Sequence, residues 1–158
     1  MNPLDDLAPT AASRREFCIR TCQAVSLLTF GALPACGGGP TAPDAAPIPT
    51  VAGTLVNRTL TITVDAASPL AAVGGAASVS VSTGTYLVAH TAQSTFTTVT
   101  AVCTHEVCNV TGFANSLYVC PCHGSEFSTS GAVVQGPAGA PLRQFPTTFA
   151  GNVVTISV

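Results

Sequence analysis

The chain has 158 residues, of which 8% are charged and none is Lys, and its formal net charge is −2. That length accommodates one domain with a single core plus an N-terminal extension, and leaves no room for two large domains. Arg14, Arg15 and Arg20 lie near the N-terminus, leaving Arg58 and Arg143 against Asp44, Asp65, Glu106 and Glu126, so the body cannot neutralise many phosphates and nucleic-acid binding is not expected.

Residues 1–36 read as an address. Ser13-Arg14-Arg15-Glu16-Phe17 precedes an apolar stretch from Ala24 to Leu33 that is too short for a comfortable membrane span, and together these resemble a twin-arginine export signal. The competing view is a chance Arg pair ahead of a short buried helix. The run ends in Leu33-Pro34-Ala35-Cys36, which resembles a lipobox with Cys36 as the lipid-bearing residue. Ordinary cleavage near Ala35, or retention of residues 17–35 as a short anchor, are the alternatives. Residues 37–49 are almost entirely Gly, Pro, Ala, Thr and Asp, a composition that buries too little apolar surface to offset ordering entropy and reads as a tether. The expected location is therefore periplasmic, or membrane-tethered by lipid or N-terminal anchor and facing the periplasm or cell exterior.

From residue 50 to 158 the chain breaks into short β-branched runs with turn residues between them. Leu55-Val56, Asn57-Arg58 and Leu60 to Val64 predict a hairpin, and Leu60, Ile62 and Val64 alternating with Thr predict one buried and one wet face. Further strands are predicted over 78–82, 85–90, 95–103, 116–120, 125–128, 131–134 and 152–158. Many short strands at this spacing predict an all-β fold, an antiparallel sandwich or barrel. His90, in the apolar run of one strand, is expected to be structural.

Two segments carry the chemistry: Cys103-Thr104-His105-Glu106-Val107-Cys108 and Cys120-Pro121-Cys122-His123-Gly124-Ser125. Each offers one His and two Cys, a donor set that points to structural zinc or to a mixed-ligand iron–sulfur centre. Zinc leaves the second Cys of each segment unexplained.

The two segments resemble the ligand boxes of the Rieske 2Fe-2S iron-sulfur family, and the resemblance extends over roughly 50–158. It implies one 2Fe-2S cluster, with Cys103 and Cys120 on one iron, His105 and His123 on the other, and the two loops at one tip of the β domain. It further implies a Cys108–Cys122 disulfide, found in the exported members, which agrees with an export signal. Imidazole in place of thiolate raises the potential to roughly −150 to +300 mV, against about −400 mV for plant-type clusters. Ser125 matches the family Ser that donates to a bridging sulfide, whereas Phe127 stands where the family has a Tyr that donates to a cysteine sulfur, which implies a potential below that of the quinol-oxidising members. Glu106-Val107 replaces the family's Leu-Gly, placing a carboxylate beside His105 and a β-branched residue where the backbone would need Gly if left-handed. Gly136-Pro137-Ala138-Gly139-Ala140-Pro141-Leu142 resembles the Pro-rich third loop, with Pro137 as a candidate for tuning the cluster.

The resemblance implies one-electron transfer with redox donor and acceptor proteins and no independent catalysis. Three assemblies fit: a stand-alone carrier or subunit, the Rieske subunit of a quinol-oxidising cytochrome bc complex, or the small subunit of an arsenite-oxidase-type molybdenum enzyme. A zinc-stabilised binding module is the alternative from another class.

Overall fold

The structure is a computed structural model that describes residues 45–158. The expected export signal with Arg14 and Arg15, the lipobox Cys36 and residues 37–44 of the expected tether lie outside the described residues.

The described residues form thirteen strands and no helix. In chain order they are β1 (Ala46–Pro47), β2 (Thr54–Val56), β3 (Thr59–Thr63), β4 (Ala76–Val81), β5 (Gly84–Ala92), β6 (Thr95–Thr100), β7 (Gly112–Ala114), β8 (Leu117–Val119), β9 (Glu126–Ser128), β10 (Val133–Gln135), β11 (Gln144–Phe145), β12 (Thr147–Ala150) and β13 (Val153–Ser157). They pair into three antiparallel sheets, ordered β1-β7-β8-β9-β10, β11-β6-β5-β4 and β12-β13-β3-β2.

Local chemistry explains the hairpins. Asn57-Arg58, Asn115-Ser116 and Gly151-Asn152 all have positive φ, the conformation that a two-residue turn needs if its twist is to match the flanking strands. The predicted 55–64 hairpin is present as β2–β3, paired Leu55 to Leu60. Leu60, Ile62 and Val64 are buried as expected, with the Thr residues between them on the wetter face.

The β11-β6-β5-β4 sheet lies between two cores. Leu87, Ala89, Val99 and Ala101 pack with Tyr118, Phe127, Cys103 and Cys120, while Tyr86, Val88 and Phe96 pack with Leu60, Ile62, Val154 and Ile156. A strand covered on both faces loses the apolar/polar alternation, which is why Tyr86 to Ala89 reads as an unbroken apolar run. The Tyr118 and Phe127 core carries the cysteine-bearing loops; the other core closes the remote side of the domain.

The expected tether ends earlier than residue 49. β1 pairs with β7, with Ala46 opposite Phe113, Ile48 is buried and donates its N–H to Thr111, and Pro49 accepts from Ser78. These residues are stitched to the body through backbone bonds that their Pro-rich composition does not advertise. The expected strand over 95–103 also stops at Thr100, beyond which the chain leaves the sheet to build the first loop of the site.

Ile156→Ala empties a fully buried position in the remote core. It is expected to cost about 2–5 kcal/mol in urea unfolding while leaving the visible absorption of the cluster-loaded protein unchanged.

Candidate metal centre

The first loop is a narrow extension of β6. Val110 donates its N–H to Ala101, Cys103 to Cys108 at 2.8 Å, and Cys108 to Glu106 at 2.6 Å, so residues 101–103 and 108–110 run as a short ladder capped by Thr104 to Val107. Val107 is not among the residues with positive φ. The backbone here does not need the Gly of the family pattern, and Val107 sits unstrained with its side chain 90% exposed.

The second loop leaves β8 and returns into β9. The Cys120 N–H donates to the Ser125 carbonyl at 2.8 Å and the Gly124 N–H to the Cys120 carbonyl at 3.0 Å, a tight closure that uses Gly124 at φ 70°. Cys108 and Cys122 are joined by a disulfide with their Cα atoms 6.6 Å apart, which ties the two loops together.

These constraints bring together Cys103, Cys120, His105 and His123. The two thiols are buried, at 4% and 1% exposure, and close enough to hydrogen-bond. Burial pushes the Cys120 thiol up; backbone N–H groups of Cys122 and His123 oppose this, and the neighbouring Cys103 adds to it. The His105 and His123 rings lie on the outer side, exposed, with centroids 4.9 Å apart and planes at 85°. Buried sulfurs inside and exposed imidazoles outside suit a group with one thiolate-held and one imidazole-held iron. Iron would remove the Cys120 proton whose retention burial favours, and the amides that face the Cys120 sulfur favour its anionic form.

Glu106 also enters this group. Its carboxylate is 3.9 Å from His123 Nδ1, so it reaches across to the second loop's imidazole as well as adjoining His105 in sequence. Phe127 is fully buried beside the cysteines and presents no hydroxyl, and Ser125 is fully buried next to Cys120.

The third loop touches both ligand loops, although not through the residue the sequence singles out. Pro137 is exposed. The contacts are made by Ala138, whose N–H donates to Ser125 Oγ at 3.2 Å, and by Ala140, whose carbonyl accepts from Thr104 Oγ1 at 2.5 Å. Backbone groups carry no residue-type signal, so sequence reasoning could find the loop only from its Gly and Pro content. His90 lies away from this tip; its Nδ1–H donates to the Leu70 carbonyl at 2.9 Å and its ring stacks on Phe96 at 4.3 Å.

An antiparallel three-sheet domain whose disulfide-clamped tip presents two thiols and two imidazoles defines a class of iron–sulfur electron-transfer domain. The family model for the Rieske 2Fe-2S domain matches residues 61–146, and the chain belongs to that family and carries one 2Fe-2S cluster. It is 40% identical over 62 residues to the cytochrome b6-f complex iron-sulfur subunit of Chlorobaculum thiosulfatiphilum, a match covering 39% of this chain and 34% of that protein. It is 47% identical over 57 residues to the chloroplastic subunit of Oryza sativa subsp. japonica, covering 34% and 25%. The matched region thus spans about a third or less of these curated relatives. The crystal structure of the cyanobacterial plasma membrane Rieske protein PetC3 from Synechocystis PCC 6803 superposes with a TM-score of 0.52 at 31% identity, covering 61% of this chain and 99% of that one. Membership answers the choice left open by the donor set: the second Cys of each box belongs to a disulfide, and structural zinc gives way to the iron–sulfur cluster.

The cross-link closes a loop between residues separated by 14 positions, so Cys108→Ser with Cys122→Ser is expected to cost on the order of 3 kcal/mol in urea unfolding. Tyr118 Oη is buried with no hydrogen-bond partner among the described residues. Tyr118→Phe is therefore expected to keep or raise stability, by up to about 1 kcal/mol, in the same measurement.

Proposed function

We propose that Cys103 and Cys120 ligate one iron and His105 and His123 the other, and that the chain passes single electrons as an exported carrier or oxidoreductase subunit. The carrying observation is the convergence of two buried thiols and two exposed imidazoles at a tip clamped by the Cys108–Cys122 bond. When bound, the cluster supplies one-electron chemistry. The protein's part is to hold it through the thiols, exclude water on the core side with Phe127, and leave the imidazole edges open to a partner.

Absorption and low-temperature EPR spectra of the iron-loaded chain, before and after dithionite, test this assignment. A reduced-state signal of low average g is expected, and it should disappear in His123→Ala; a colourless, EPR-silent protein containing zinc would overturn the assignment. Phe127→Tyr returns a hydroxyl to the place where the family donates to a cysteine sulfur. It is expected to raise the reduction potential in a redox titration.

The curated relatives favour a second assembly, the Rieske subunit of a cytochrome bc-type complex. Against it, the tip carries Glu106, whose side chain is 62% exposed, where a quinol-facing surface would favour an apolar residue. A solvent-facing carboxylate beside the electron's exit suits a soluble, cationic redox partner better. Copurification with a cytochrome b, or with a large molybdenum subunit, separates these assemblies from a free carrier. Export by the twin-arginine route and tethering through Cys36 are part of the same proposal. They rest on Ser13 to Phe17 and Leu33 to Cys36, and mass spectrometry of the mature N-terminus tests them.

A further inference from the structure

Ser125 is fully buried, and its hydroxyl oxygen accepts a hydrogen bond from the Ala138 N–H at 3.2 Å. Among the described residues, its own proton goes to no acceptor, and burial denies it water. A buried hydroxyl that accepts a bond and has nowhere to give its proton is half of a hydrogen-bonded chain, and such chains strengthen when both halves are made.

The backbone that delivers the Ala138 amide is tightly specified. Gly136 has φ 97°, and a Cβ there would lie 2.5 Å from Ser125 Cα and 2.9 Å from the Gly124 carbonyl oxygen. Only glycine brings the third loop this close to the second. Thr104 Oγ1 holds the loop's other side through the Ala140 carbonyl, so the amide approaches Ser125 from a segment fixed at both ends.

From this geometry we propose that Ala138 is a positioning residue: its backbone N–H orients the Ser125 hydroxyl as a donor toward the cluster, and Gly136 exists to let that amide reach it. The third loop then sets the reduction potential through one backbone hydrogen bond, and the exposed Pro137 ring has no direct part. This rests on the assignment of Cys103, His105, Cys120 and His123 as ligands.

The test is a double-mutant cycle read by reduction potential and by the iron–sulfur stretching bands in resonance Raman spectra of the loaded protein. Ala138→Pro removes the N–H; Ala138→Gly keeps it. Ser125→Ala is expected to lower the potential and shift the bridging-sulfide bands. Ala138→Pro should do the same to a lesser degree in the native background and nothing further in the Ser125→Ala background, and Ala138→Gly should move the potential less than Ala138→Pro. Equal shifts from Ala138→Pro in both backgrounds, or none in either, would overturn the proposal while leaving the ligand assignment intact. A native chain without the two-imidazole EPR signal would overturn both. If Ala138→Pro fails to fold, an amide-to-ester replacement at residue 138, made by semisynthesis, deletes the N–H with little change of shape and carries the same expectations.

Discussion

The tip depends on keeping two chain reversals, residues 101–110 and 120–125, in fixed register so that side chains from both define one volume. A four-donor site built from two loops has no tolerance for independent motion, since ligand geometry must hold to a fraction of an ångström. The domain meets this with ties of three kinds. Each loop is closed on itself by backbone bonds, the Cys108–Cys122 bond joins them covalently, and the third loop bonds to Thr104 on one and Ser125 on the other. Beneath them, Tyr118, Phe127, Leu87 and Val99 form a floor shared with the β11-β6-β5-β4 sheet. That sheet is held from behind by the second core, so the floor cannot yield without disturbing both.

Much of this was legible in the residues. The alternation of Leu60, Ile62 and Val64 placed a half-buried strand, turn residues marked the hairpins, and the paired Cys/His boxes marked the loops. What escaped was structure specified by the backbone. β1, β7 and β11 are two or three residues long and contain no β-branched residue, and β12, which opens on Thr147-Thr148, is only four residues long; each forms through pairing with a neighbouring strand. The packing of Ala45 to Pro49 against the body was hidden because a Pro-rich segment looks the same in sequence whether it is free or laid along a strand. At the site, the Cys and His side chains gathered at the tip were readable by type, but the Ala138 amide and the Ala140 carbonyl were not, since nearly every residue has both.

The departures from the family pattern fall where they alter electrostatics and leave the architecture alone. Phe127 fills the same buried place as a tyrosine would but brings no donor, and Val107 fits a backbone that makes no demand for glycine. Glu106 adds a negative charge at the rim, within 3.9 Å of an imidazole. Loss of a donor inside and gain of an anion outside both favour the oxidised cluster over the reduced one, because reduction adds negative charge.

The closeness of the Cys103 and Cys120 sulfurs also bears on how the protein is made. Two thiols near enough to hydrogen-bond are near enough to oxidise to each other, and four cysteines crowded at one tip can pair in three ways, of which the structure uses one bond of one. Under the proposed ligation, iron on Cys103 and Cys120 would protect them and leave Cys108 and Cys122 as the pair free to join at the tip. The order that this ligation would impose is metal first and oxidation second, with the finished disulfide a record that the order was kept.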